Sequence, residues 1–266
     1  MSDIVEVENA AGPVATVRLN RPEKKNAWTI EMFDALAAAC DALSRESALR
    51  AVILTGAGGC FSAGLDYAVF GQFAARLPEI KAQMLAPPEG HAANRFQQPV
   101  TGWQQLGVPV IAAIEGVAFG AGMQLALAAD FRIAAPDARL SIMEARWGLI
   151  PDMGITRSLP RLLRADQAKE LIMTARVLQA HEAQEMGLVT RIVDDPLAAA
   201  QVLAQDLTER SPDALRAAKR LVEDAWCADA HASLALEAEL QAALMGQSNQ
   251  MEAVMANMQG RPPKFT

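Results

Sequence analysis

An α/β fold with an appended α-helical end is predicted by three features of the chain. Short β-branched, apolar runs, Ala51–Thr55 and Val108–Ile114, lead into glycine-bearing turns, as buried strands do. Helical periodicity alternates with them, in Thr29–Ser44 and Leu125–Ala129. From Ile155 onward the pattern is mostly helical.

Taken in order, Val5–Glu8 and Val14–Leu19 alternate around a Gly12-Pro13 turn and read as strands. Thr29–Ser44 reads as a helix, with Thr29 as cap and Met32, Phe33, Leu36, Ala39, Cys40 and Leu43 on one face. Residues 72–100 contain Pro78, Pro87, Pro88, Gly90 and Pro99, which predicts irregular helix and loop. Phe131–Ala134 and Arg139–Ile142 read as a third and a fourth short strand. Helices are predicted over Asp166–Thr174, His181–Met186, Pro196–Arg210, Pro212–Cys227 and Ala230–Leu244, with a strand at Val189–Val193.

The 266 residues allow one large domain or two small ones at ~150 residues each. With 52% hydrophobic and 21% charged residues the composition is that of a soluble globular protein. A net charge of −7 argues against a nucleic-acid surface, which needs concentrated Lys and Arg. Cys40, Cys60 and Cys227 are odd in number and far apart, and His91, His181 and His231 are scattered. Neither a disulfide framework nor a metal site is expected, and a reducing, cytoplasmic setting fits best. Met1–Glu8 is acidic without an apolar stretch, so no signal peptide is expected. No uncharged apolar run reaches ~18 residues, so no membrane span is expected either.

Two segments carry the chemistry. Phe61-Ser62-Ala63-Gly64-Leu65-Asp66 follows Ala51–Thr55, and Glu115-Gly116-Val117-Ala118-Phe119-Gly120-Ala121-Gly122-Met123-Gln124 follows Val108–Ile114. Gly and Ala let a chain turn sharply or admit a ligand to its backbone. Two such turns on adjacent strands can aim two N–H groups at one carbonyl oxygen, the device that stabilises an enolate. Each segment alone also reads as an ordinary tight strand–helix turn.

With Leu19-Asn20-Arg21-Pro22, Asn26-Ala27, Ala129-Asp130-Phe131-Arg132-Ile133-Ala134, and Glu144 with Gly148-Leu149-Ile150-Pro151 and Gly154, these segments resemble the crotonase, or enoyl-CoA hydratase/isomerase, family. The match runs in order from about Val14 to Val193. The resemblance implies a crotonase-like spiral of ββα turns over residues 1–195, and a helical C-terminal trimerisation region over 196–266. It implies homotrimers or hexamers, an acyl-CoA thioester as substrate, and no cofactor beyond the coenzyme A of that substrate.

The resemblance also implies roles. The N–H groups of Leu65 and Ala121 would be the oxyanion donors, with Gly64 and Gly122 permitting the turns. Lys24 and Lys25 would lie along the nucleotide and its phosphates, and Ala63 would offer its carbonyl to the adenine. Asp66, Gly120 and Trp147 would border the substrate. Glu144 would be the acid/base; its local sequence alone reads rather as an exposed loop glutamate. The second glutamate of family hydratases falls at Gln124, whose amide cannot accept a proton as a carboxylate does. A single carboxylate suffices to carry a proton from C2 to C4, so a Δ3–Δ2 enoyl-CoA isomerase is the expected activity, with a trans-2-enoyl-CoA hydratase as the alternative. Asp152 reads as a turn residue or as a second acid, as in some dienoyl-CoA isomerases of the family. Met123, Met143, Met153, Phe70, Trp103 and Trp147 are candidates for an acyl pocket. Asp130, Arg157 and Arg161 read as structural, and Arg261 and Lys264 as weak phosphate candidates.

Two other enzyme classes fit poorly. A serine hydrolase would need a nucleophile elbow and a matching His. A Rossmann oxidoreductase would need G-x-G-x-x-G and its acidic partner. A catalytically weak acyl-CoA-binding protein is the remaining alternative, motivated by Gln124.

Overall fold

The computed structural model describes residues 4–226 and 228–266; Met1–Asp3 and Cys227 lie outside the described residues. Strands β1 (Val5–Glu8) and β2 (Val14–Leu19) form the antiparallel edge of a six-stranded sheet. Helix α1 (Ile30–Ser44) leads to β3 (Ala51–Gly56). Helices α2 (Tyr67–Ala75), α3 (Leu77–Leu85) and α4 (Gln98–Gln105) precede β4 (Val110–Ile114), β5 (Val117–Phe119) and α5 (Ala121–Ala128). Then come β6 (Phe131–Ala134), β7 (Arg139–Ser141), α6 (Ile155–Ser158), α7 (Ala165–Thr174), β8 (Leu178–Gln179), α8 (Ala180–Glu185) and β9 (Arg191–Ile192). Helices α9 (Pro196–Thr208), α10 (Pro212–Ala225), α11 (Ala230–Leu244) and α12 (Ser248–Gln259) complete the chain.

The large sheet has the order β1-β2-β3-β4-β6-β9, parallel except at β1–β2. A small sheet has the order β5-β7-β8. The chain passes from β4 straight to β5, and from β6 straight to β7, so successive turns add one strand to each sheet. This is the spiral of ββα turns that the resemblance implies.

The alternation of side chains explains why β3 and β4 are apolar throughout. Val52, Leu54, Val110, Ala112 and Ile114 enter the main core, whereas Ala51, Ile53, Ile111 and Ala113 enter a second one. Ala200 and Ala204 of α9, both fully buried, close that second face. A parallel sheet covered on both sides needs this pattern. Helix α9, the first element beyond residue 195, thus packs directly on the sheet.

Thr29 sits at the start of α1 without its side chain capping the helix. Met32, Phe33, Leu36, Cys40 and Leu43 are buried as the periodicity predicts; fully burying one such large apolar side chain contributes roughly 1.5–3 kcal/mol. Burial pushes the Cys40 thiol up to about 12, which keeps it neutral. Strand β4 begins two residues later than expected, after Pro109, which has no N–H for the ladder. Strand β5 lies inside a segment read as a turn, and β8 and α12 were not anticipated.

Helix α10 is tied to the core through Lys219. Its ammonium donates to Asp130 Oδ2 at 2.8 Å and to the carbonyls of Val108 and Trp103. Asp130 also accepts from Val110 N–H at 2.7 Å. Arg161 pairs with Glu223 of the same helix, and Arg157 approaches Glu223 at 4.0 Å. These are the structural roles expected of Asp130, Arg157 and Arg161. Asp130→Ala leaves the Lys219 charge without its counter-ion and the Val110 N–H without an acceptor. A loss of about 2–3 kcal/mol is expected, read as a lower urea midpoint.

Candidate active site

The site follows from one parallel bridge. Ser62 N–H donates to Val117 O at 2.8 Å and Phe119 N–H to Ser62 O at 3.0 Å, pairing Ser62 with Ala118. Leu65 lies three residues beyond Ser62, and Ala121 three beyond Ala118. Equivalent positions of two successive turns are thereby set next to each other. Glycine permits the approach. Gly64 has φ +89°, and a Cβ there would stand 2.7 Å from Phe119 O and 3.6 Å from Gly120 Cα.

Asp66 N–H donates to Trp28 O and Trp28 N–H to Gly64 O, which leaves the intervening Leu65 N–H outside the ladder. Ala121 opens α5, so its N–H has no helical acceptor. Neither N–H donates to another group among the described residues. Both residues line a cavity of about 970 Å³. Two unengaged donors, one at a helix N-terminus, can hold the oxygen of a polarised carbonyl.

Glu144 lines the same cavity from the start of a 3-10 turn, Glu144–Trp147. Its Oε1 accepts from Gln124 Nε2 at 2.7 Å, while its buried Oε2 has no partner. Burial holds the Glu144 carboxyl above its ordinary range, and the charge of Asp152 adds to this. Asp152 also lines the cavity and is exposed to solvent. The surrounding protein still desolvates it enough to raise its proton affinity.

Gln124 departs from its expected position. It is 2% exposed and both ends of its amide are taken, since its Oε1 accepts from Met153 N–H at 2.8 Å. It does not line the cavity. Gln124 thus joins Glu144 to the 151–154 loop and positions its carboxylate. Gly122 is likewise a packing residue: a Cβ there would meet Ser62 Cβ at 2.6 Å. Met123 and Trp103 are fully buried in the core, away from the cavity, whereas Met143, Met153, Phe70 and Trp147 line it. Arg261 is bound by Glu252 at 2.6 Å and 2.9 Å, and is not offered to a ligand.

Lys24, Lys25, Ala63, Gly64, Asp66, Gly120 and Trp147 all border the cavity. The Asp66 side chain is engaged within the protein: it caps α2 through Ala68 N–H and pairs with Arg21 at 3.1 Å. Lys24 and Lys25 lie within a turn closed by Asn26, whose buried side chain accepts from Arg21 N–H and donates to Ala57 O and Cys60 O. Ala63 N–H donates to Lys25 O at 2.8 Å, which joins the lysines to the first chemical turn. Arg139 and Arg146 border the cavity as well and were not singled out from sequence. Arg146 had a signal, two residues after Glu144; Arg139 comes from a separate strand and had none.

Two outcomes follow. Gly64→Ala forces the two turns apart, and turnover should fall about 100-fold, as for loss of one oxyanion donor. For Glu144, the folded-state pKa lies above the unfolded value. Its contribution to stability is therefore present below the unfolded value of 4.5 and lost as pH rises through the folded one. Glu144→Gln should melt a few degrees above the parent at about pH 7.5 and converge with it below about pH 4, by thermal denaturation.

Residues 9–266 match the sequence family described as Enoyl-CoA hydratase/isomerase. The chain is 32% identical over 268 residues to mitochondrial methylglutaconyl-CoA hydratase of Mus musculus, covering 98% of this chain and 81% of that protein. It is 35% identical over 256 residues to 1,2-epoxyphenylacetyl-CoA isomerase of Escherichia coli strain K12, covering 95% of each. The crystal structure of enoyl-CoA hydratase from Bacillus anthracis superposes with a TM-score of 0.88 at 32% identity, over 98% of both chains. With its spiral fold and a match that spans nearly its whole length, the chain belongs to the enoyl-CoA hydratase/isomerase family.

Proposed function

We propose that the protein moves a double bond in an enoyl-CoA thioester from Δ3 to Δ2, with Glu144 as the proton shuttle. The observation that carries this is the state of the Glu144 carboxylate. One oxygen is held by Gln124 and the other has no partner, and the amide that stands where family hydratases have a second glutamate is engaged at both ends and carries no carboxylate. That pair supplies one base and no second carboxylate to activate water.

In this reading the thioester carbonyl accepts from Leu65 and Ala121 N–H. Glu144 Oε2 takes the C2 proton, and the C–H electron pair passes into the carbonyl oxygen as a dienolate. The raised proton affinity of Glu144 favours this transfer near neutral pH. The carboxylic acid then returns the proton to C4. The carbonyl reforms, the C2–C3 double bond appears, and the enzyme ends as it began. Coenzyme A enters as part of the substrate, with Lys24 and Lys25 at its phosphates; neither lysine forms an ion pair with an acidic side chain among the described residues.

Asp152 supports a second reading. It shares the cavity and the electrostatic field of Glu144, so it can serve as the second acid of a hydration or of a dienoyl isomerisation. For the assembly we propose a homotrimer or a pair of trimers in the cytoplasm. Exposed Met245, Met251, Met255 and Met258 on the C-terminal helices offer apolar surface for it.

The test is a pair of assays following conjugated-thioester absorbance. A 3-enoyl-CoA should gain absorbance, and Glu144→Ala should lower that rate by about 100- to 10,000-fold. Efficient loss of absorbance from a trans-2-enoyl-CoA, sensitive to Asp152→Ala, would replace the isomerase reading by hydration. Binding without any C2 proton exchange would leave only an acyl-CoA-binding protein.

A further inference from the structure

The cavity continues beyond Glu144 into an aromatic chamber. Leu65 is bridged to Trp28, whose ring packs edge-on against Phe33 at 5.0 Å. Phe33 meets Phe96 at 5.8 Å, and Phe96 meets Phe73 at 5.5 Å. The chamber therefore begins beside one of the two carbonyl-facing turns. Phe33, Phe73 and Phe96 line the cavity, together with Phe70, Ile80 and Met84. Helix α2 supplies one wall through Tyr67, Phe70 and Ala74, spaced at three and four residues so that they share a face. At about 970 Å³ the cavity stands at the upper end of the ~300–1,000 Å³ range of small-molecule pockets.

We propose that the acyl group taken by this site is a large apolar one, a chain of about eight carbons or more or an aryl ring, seated between α1, α2 and α3 against the Phe33–Phe96–Phe73 cluster. This rests on the acyl-CoA reading above and names its substrate class. Rigid rings at right angles present edges and faces to an entering ring or chain, and Met84 adapts to either shape. Lys81 of α3 lines the cavity as well. It is exposed, so its stem can cover the chamber while its ammonium stays in water.

Saturated thioesters test binding without turnover. The full-length protein is titrated calorimetrically with butanoyl-, octanoyl-, phenylacetyl- and glutaryl-CoA. Octanoyl- and phenylacetyl-CoA should each bind at least about tenfold more tightly than butanoyl-CoA, because one fully buried methylene tightens binding about fourfold. The two ligands distinguish chain from ring. Ala74→Phe, at an exposed position of α2, should narrow the chamber. It should weaken the octanoyl and phenylacetyl complexes about tenfold and leave butanoyl unchanged. Equal affinity for all four ligands overturns the inference and leaves the acyl-CoA reading standing. Tightest binding of glutaryl-CoA, abolished in Lys81→Met, overturns it in favour of a carboxylated acyl group. Failure of every thioester to bind overturns both readings.

Discussion

The parallel bridge between Ser62 and Ala118 is the constraint on which the site depends. It links successive turns of the spiral at one register, and that register brings Leu65 and Ala121 together. A slip of one residue would turn every side chain to the opposite face of the small sheet. The close approach is possible because Gly64 and Gly122 carry no Cβ where Phe119 and Ser62 stand, while Gly120 takes a φ of +50° that favours glycine. The donors themselves are backbone groups, so the side chains at 65 and 121 are free to serve packing instead.

A second balance sets the protonation of Glu144. Glu144 is held by one neutral donor and faced by one acid, in a wall that excludes most water. Desolvation and like charge both favour the protonated form, whereas the Gln124 hydrogen bond favours the carboxylate. The same contacts orient the group: Gln124 bridges Glu144 to Met153, one residue beyond Asp152. The distance between the two acids is thereby tied to a single buried amide.

The outer parts of the fold differ in how firmly they are held. Helix α9 is packed against the sheet by small residues that let it approach closely, and α10 is attached by the buried contacts of Lys219. Helices α2 and α3 lie on the other side and form the cavity wall with few buried side chains, Val69 and Ile80. A wall with little buried surface of its own gains stability when an apolar ligand fills the space behind it.

The short strands β5 and β8 were not legible in the sequence, whereas most strands of the large sheet, the two glycine turns and the acid/base candidate were. These rest on local periodicity and on residues that few backbones require, such as Gly64 and Gly120. It also led to α11 at its observed bounds, because an unbroken helical pattern needs no distant partner to be read. Tertiary structure alone decided that Gln124 faces Glu144 and not the cavity, that Gly122 serves packing, and that Trp103 and Met123 are core. It also brought Phe33, Phe73 and Phe96 into one chamber from three separate segments. The physical reason is the same in each case. Periodicity reports which residues avoid water, but which buried neighbour a side chain meets depends on contacts between strands and helices far apart in the chain.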